Sequence, residues 1–460
     1  MLKVLRLADA WPPYAFAEVF ARMMSLQVAA ICTTMPEFAV NDRWRCARRT
    51  MKAALIIAVT LTAGSFAAAQ RQFSNFQSLY EGHHWFALRD AVAQGQPPQF
   101  YRGAVEAAFH QPQQATKDLE TIIQDDPHGH NANEARSLLA GLYLRTGEYR
   151  EALVQTQALL AEKPDAQDVQ NVDALFRVLS QTPDQAILQK ERSSLHMVIE
   201  DGNLFVPIAV NEAPAAFAFD TDAAVSLLSE SEAKRLGLAV RDVHSKIEGM
   251  SGAGVGVRVA VANSVAIGDI RLANVAFYVL PDKQPPFDGL PPGRQGIVGI
   301  PVILALQTLR WDPRNLTLQC GFPAHSADLR RSNVAFDDAS PLTQVGFQGK
   351  MLEFSLDTGA QNTDLYPLFA KEFAPLLKSE GKKESRRLTG VDGSASFDSM
   401  VLPSITLQVG ARDVVLKPAH VLVVQNNGSS AWYFGNLGMD LLNQAKAVTL
   451  DFQAMTLRLE

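Results

Sequence analysis

Two short segments place carboxylates where acid–base chemistry can be done. Asp220-Thr221-Asp222-Ala223 follows the apolar run Phe217-Ala218-Phe219, and Asp357-Thr358-Gly359-Ala360 follows Phe354-Ser355-Leu356. A strand ending in a carboxylate can deliver it into a dry cleft, where a second carboxylate from a facing element meets it. Two such groups in contact cannot both ionise, so they share one proton and titrate as a unit. The ionised member can take a proton from water while the protonated member polarises a carbonyl, which is the chemistry of amide hydrolysis. Either segment alone reads as an ordinary strand-to-turn exit. Two of them in matching surroundings do not.

The surroundings do match. Gly435 and Gly438 stand 139 residues after Gly296 and Gly299, and Asp451, Thr456 and Leu457 stand 139 residues after Asp312, Thr317 and Leu318. The aspartates themselves are 137 residues apart, so small loop differences align three segments in order. Between them, short apolar runs alternate with turn residues: 204–210, 216–219, 255–261, 275–280, 316–319, 352–356, 405–409, 421–424 and 448–452 read as strands. Asn211-Glu212-Ala213-Pro214 and Asp392-Gly393 read as turns. The expectation is two homologous all-β lobes at 195–322 and 333–460, joined by the Arg-rich stretch 324–333.

These residues resemble the pepsin and retropepsin class of aspartic peptidases, particularly bacterial retropepsin-like proteins. Asp-Thr-Gly-Ala after an apolar strand, the sequel Val225-Ser226-Leu227-Leu228-Ser229, and the helix-like Ala233-Lys234-Arg235-Leu236-Gly237-Leu238 carry the likeness. The resemblance covers residues 195–460. It implies an aspartic endopeptidase with Asp220 and Asp357 as catalytic residues, and Thr221, Asp222, Thr358 and Gly359 supporting the catalytic loops, the threonines by cross-bracing through their hydroxyls. It also implies a flap over the substrate at the glycine-rich stretch containing Gly249, Gly252 and Gly254, with Gly390-Val391-Asp392-Gly393 as its second-lobe counterpart. Ile297-Val298-Gly299 and Asn436-Leu437-Gly438 fit the hydrophobic-hydrophobic-glycine element behind each catalytic loop, the second imperfectly because of Asn436.

One departure stands out. Asp222 occupies the place of Gly359, and aspartate tolerates a left-handed backbone better than most side chains. Its charge would raise the proton affinity of the dyad and move the acidic limb of a pH profile upward. It could equally mark a lobe that has lost catalysis, leaving a degenerate peptide-binding pseudoprotease.

Residues 71–194 follow a helical pattern broken at Gly95-Gln96-Pro97-Pro98, Asp126-Pro127 and Lys163-Pro164. Leu139, Tyr143, Gly147, Tyr149, Ala152 and Pro164 fall at the spacing of a tetratricopeptide repeat, and Ala115 and Pro127 form an earlier, weaker copy. Such repeats offer a surface to a protein partner, which leaves a repeat-based periplasmic adaptor as a further alternative.

Arg48, Arg49 and Lys52 precede an apolar run ending in Ala67-Ala68-Ala69, the pattern of a secretory signal peptide at 51–69. Residues 1–50 then read as an over-extended start, and the mature chain as periplasmic or secreted. The apolar run is shorter than the roughly 20 residues of a membrane span, so no stable span is expected after cleavage. Only Cys320 would remain, which excludes an internal disulfide and suits a small buried hydrophobe.

A formal net charge of −6 and the absence of a basic stripe argue against nucleic acid as a partner. Lys382, Lys383, Arg386 and Arg387 read as a solvated loop. His83, His84, His110, His128 and His130 lack a carboxylate cluster and read as surface histidines, so neither a metal nor any other cofactor is expected. The expected ligand is a polypeptide substrate.

Overall fold

The change of periodicity between the two halves becomes a change of architecture. In the computed structural model, which describes residues 75–460 apart from 201–202, 248, 250–253, 322–327 and 425–430, helices run up to Leu179 and strands begin at Ala186. The proposed signal segment and the residues before it lie outside the described residues.

The helices Trp85–Gln94, Gln99–Ala108, Pro112–Asp125, His130–Thr146, Tyr149–Glu162 and Gln167–Leu179 pack as successive antiparallel neighbours. Ala115, Leu139 and Ala152 are fully buried, and small side chains at such points let helix axes approach. His130–Thr146 ends where Gly147 takes φ +77° and the Glu148 N–H reaches back to the Tyr143 carbonyl at 2.9 Å. That left-handed cap favours glycine because a Cβ would be strained there.

Among the described residues a nine-stranded sheet belongs to the first lobe and a ten-stranded sheet to the second. A five-stranded sheet joins them through the antiparallel pairing of Thr308–Asp312 with Val448–Asp451. These are the closing strands of the duplicated segments. The helices rest on both lobes: Gln167–Leu179 packs on Val240–Ile247, His130–Thr146 on Ile300–Ala305, and Gln99–Ala108 on Val334–Asp337. Ser78–Glu460 thus forms one compact unit.

Arg145 ties helices to the second lobe. Its buried guanidinium donates to the Ala107 carbonyl at 2.7 Å and to the Asp338 carbonyl, and lies 4.6 Å from the centre of the Phe336 ring. Burial pulls its pKa down to about 10, with Asp338 and Asp337 acting in the opposite direction, so it stays charged at neutral pH.

Four expectations need correcting. Lys382–Gly390 is a strand, paired with Gly393–Leu402 in a long hairpin around a two-residue turn. Its polar residues suit a ribbon whose side chains stay largely exposed, and Arg386 pairs with the largely buried Asp364 at 2.9 Å. His83 and His110 are buried rather than on the surface. His83 contacts the Asp337 carboxylate at 2.5 Å and stacks on Trp432, while burial drives the His110 pKa down to about 3. Ala213 and Pro214 belong to the strand Ala213–Phe219, the turn being Asn211 and Glu212 alone, both at positive φ. Val423 and Val424 lie beyond the end of Ala419–Leu422 and are exposed.

Candidate active site

Each candidate aspartate leaves a central strand and is backed by a second strand from the same lobe. In the first lobe Gly296–Val298 runs parallel to Ala213–Phe219, with Ile297 beside Ala218 and Val298 beside Phe219. In the second, Gly435–Leu437 runs parallel to Lys350–Leu356, with Asn436 beside Ser355 and Leu437 beside Leu356. The repeated glycines have packing reasons. A Cβ at Gly296 would stand 2.6 Å from the Phe217 ring, and one at Gly435 would stand 2.5 Å from the Phe354 ring. A Cβ at Gly299 or Gly438 would strike the backbone of the adjacent aspartate-bearing loop, at 2.6 Å from the Ala223 carbonyl oxygen and 2.7 Å from Asn362 respectively. Each of these N–H groups is also held, Gly299 by Ser226 Oγ and Gly438 by Thr363 Oγ1, both at 3.0 Å.

The two loops lock together through their threonines. Thr221 Oγ1 donates to the Leu356 carbonyl at 2.6 Å and accepts from the Thr358 N–H at 3.1 Å. Thr358 Oγ1 donates to the Phe219 carbonyl at 2.9 Å and accepts from the Thr221 N–H at 3.1 Å. Each hydroxyl therefore bridges into the other lobe, and both threonines are buried. This sets Gly359 of one loop against the Asp220 carboxyl of the other, close enough for the Asp357 charge to act on Asp220.

Gly359 is required by close approach, not by backbone conformation. A Cβ there would lie 2.5 Å from Asp220 Cγ, and its φ is not in the left-handed region. The same holds for the backbone of Asp222, so the tolerance of aspartate for that region plays no part.

The electrostatics are asymmetric. The Asp357 carboxylate accepts the Gly359 and Ala360 N–H groups on Oδ1, each at 2.9 Å, and the Asn436 side-chain amide on Oδ2 at 2.8 Å. Asp220 Oδ1 accepts the Asp222 N–H at 2.8 Å. Burial raises the pKa of Asp357, while Asn436 and the two amides hold it back. Asp220 is raised well above the usual carboxylate range by burial, then by the charges of Asp357 and Asp222. Asp222 Oδ1 is buried without a hydrogen-bond partner; burial and the Asp357 charge push its pKa up to about 7, with Ser340 acting in the opposite direction. All three aspartates keep part of their surface accessible even though protein encloses the carboxyls.

The flap candidates divide. Gly249 faces the turn of the second-lobe hairpin, where a Cβ would stand 2.5 Å from Asp392 Oδ1, and Gln284 Nε2 donates to the Val391 carbonyl at 2.8 Å. Hairpins from the two lobes therefore meet. Gly254 sits at φ +67° just before Val255–Ile267, and Gly252 lies outside the described residues. Sequence reasoning missed three contributors. Asn436 was visible only as a mismatch in an apolar motif, whereas Ser340, which acts on Asp222, and Tyr366, which feels the charges of Asp222 and Asp357, carried no signal.

Cys320 closes its strand fully buried, and burial pushes its thiol up to about 12, which excludes a thiolate nucleophile. No group of residues suited to a metal ion occurs among the described residues. No helix among them is long and apolar enough to cross a membrane.

Residues 206–302 match the family model described as aspartyl protease, and residues 107–175 match that of the tetratricopeptide repeat. No curated protein matches the chain. A retropepsin-like aspartic protease from Rickettsia conorii is 19% identical, covering 30% of this chain and 96% of its own at a TM-score of 0.21. An aspartic proteinase from Irpex lacteus is 13% identical, covering 58% and 96% at a TM-score of 0.35. Basic 7S globulin from soybean is 11% identical, covering 57% and 94% at a TM-score of 0.30. The helices thus include a stretch similar to tetratricopeptide repeats, and the first of the β lobes that follow includes a stretch similar to aspartyl proteases.

Proposed function

We propose that the protein is an aspartic endopeptidase that hydrolyses polypeptides with a water activated between Asp220 and Asp357. The observation that carries this reading is the reciprocal threonine bridging between the lobes, which sets the Asp357 loop against the Asp220 carboxyl at Gly359. Asp357, with three donors on its oxygens, serves as the base; Asp220, with its pKa raised well above the usual range, serves as the acid. The hairpins that meet through Gly249 and Asp392 are suited to close over an extended chain and exclude water. Incubating the purified protein with an unfolded polypeptide from pH 3 to 8 tests the reading. New amino and carboxyl termini in the products are expected; an intact substrate at every pH would contradict it.

A degenerate, peptide-binding role has a weaker basis. Asp222 is the residue that suggested it, but with a pKa near 7 this group is neutral in the acidic range where a shared-proton dyad works. Its charge therefore reaches the dyad on the neutral limb rather than the acidic one: an ionised Asp222 helps keep the proton on Asp220. Asp222→Gly is expected to retain hydrolysis at acidic pH and to move the descending limb down by about one pH unit. A change confined to the ascending limb would show that Asp222 is already charged there.

Stability carries the same sign. Asp220, Asp222 and Asp357 are all raised, so their contribution to stability is full below the ordinary aspartate pKa. For Asp222 it is lost as pH rises towards about 7.

The tetratricopeptide helices rest on both lobes, which supports a bracing role and leaves their remaining surface for a protein partner. We also propose export through residues 51–69 to the periplasm or medium, on the strength of the charged, apolar and small-residue order described above. Amino-terminal sequencing of the secreted protein should begin near Gln70; a protein that retains residues 51–69 would exclude cleavage there.

A further inference from the structure

The two catalytic loops are near copies, but one donor has no counterpart. We propose that Asn436 is a positioning residue that holds Asp357 as the ionised, water-activating member of the dyad. This rests on the peptidase reading and adds an assignment of roles within it. Asn436 Nδ2 donates to Asp357 Oδ2 at 2.8 Å, while Ser355 Oγ lies 2.6 Å from Asn436 Oδ1 and fixes which end of the amide faces the carboxylate. The chain of polar groups thus runs from Ser355 through Asn436 to Asp357 Oδ2.

The corresponding position in the first lobe is Ile297, in the same register beside Ala218 as Asn436 is beside Ser355. Isoleucine has no donor, so Asp220 lacks this contact. An amide N–H can donate only to a carboxyl oxygen that is not itself donating, and it favours the charged form of the group it meets. The titratable groups facing Asp357 are Asp220 and Asp222 from the first-lobe loop and Tyr366 from its own lobe. None is a cation. Asn436 is therefore the side chain that offsets burial, and Asp357 ionises first while Asp220 keeps the shared proton.

The test is Asn436→Ile, which copies the first lobe, with Ser355→Ala as a second variant that removes only the anchor of the amide. Hydrolysis of an unfolded polypeptide is followed against pH. The carboxyl carbons of the aspartates are titrated by nuclear magnetic resonance in the unliganded protein. Asn436→Ile should move the ascending limb of kcat/KM upward by about one pH unit, the size expected for losing a hydrogen bond to a charged group. The Asp357 carboxyl carbon should move with it. Ser355→Ala should produce a smaller shift in the same direction, and it decides the matter if the isoleucine variant does not fold. An ascending limb and an Asp357 titration that stay in place would overturn the proposal while leaving the peptidase reading intact. A wild type inert at every pH would overturn the peptidase reading instead, and the carbon titration would then show whether Asn436 sets the ionisation of Asp357.

Discussion

Gly359→Ala is expected to lower kcat/KM by about 10²-fold or more while the protein folds normally. The added methyl would stand 2.5 Å from Asp220 Cγ and 2.6 and 2.9 Å from its two oxygens, well inside contact distance. The backbone at 359 accepts alanine, since its φ lies outside the left-handed region, so the clash falls on the Asp220 carboxyl. That carboxyl is held by the Asp222 N–H and cannot turn away without losing a bond. A displacement of about 1 Å between reacting groups is enough for a loss of roughly 10²-fold. Circular dichroism and Tm should stay near wild type because the nearest atoms the methyl meets belong to one partly accessible side chain. Unchanged hydrolysis by the variant would mean that the two carboxyls need not touch over Gly359.

How much of this was legible in the sequence follows from where the information lies. The duplicated aspartates and the backing glycines could be read because they recur at a fixed spacing, and the cross-bracing threonines because the resemblance to a known family implies them. The closing strands, the apolar strand interiors and the burial of Cys320 could be read because alternation and small size report burial directly. The hairpin of Lys382–Gly390 could not, since an exposed ribbon needs no apolar face and its polar residues look like a loop. His110 and Arg145 were hidden for another reason: their burial depends on the helices packing against Val334–Asp337, and nothing local announces that contact.

Asp222 and Asn436 are the informative departures. Each breaks a repeated motif. The Asp222 charge raises Asp220, the direction its place in the motif suggests, while the enclosure of its own carboxyl, which raises Asp222 in turn, has no signal in the sequence. The second was read as an imperfect apolar position, and only the facing Ser355 and Asp357 show an amide with both ends engaged. Departures from a pattern identify positions to examine, and the physical reason comes from the neighbours that the fold supplies.

The central claim is that one proton shared by Asp220 and Asp357 drives peptide hydrolysis. Its most direct test compares the wild type with Asp357→Asn and Asp220→Asn on the same unfolded polypeptide at the optimal pH. Replacing either carboxyl by an amide preserves its shape and one acceptor oxygen but removes the shared proton. Each variant should fold, retain its Tm within a few degrees, and lose at least about 10³-fold in kcat, the scale of general acid–base catalysis. Hydrolysis by Asp357→Asn at the wild-type rate would contradict the account outright.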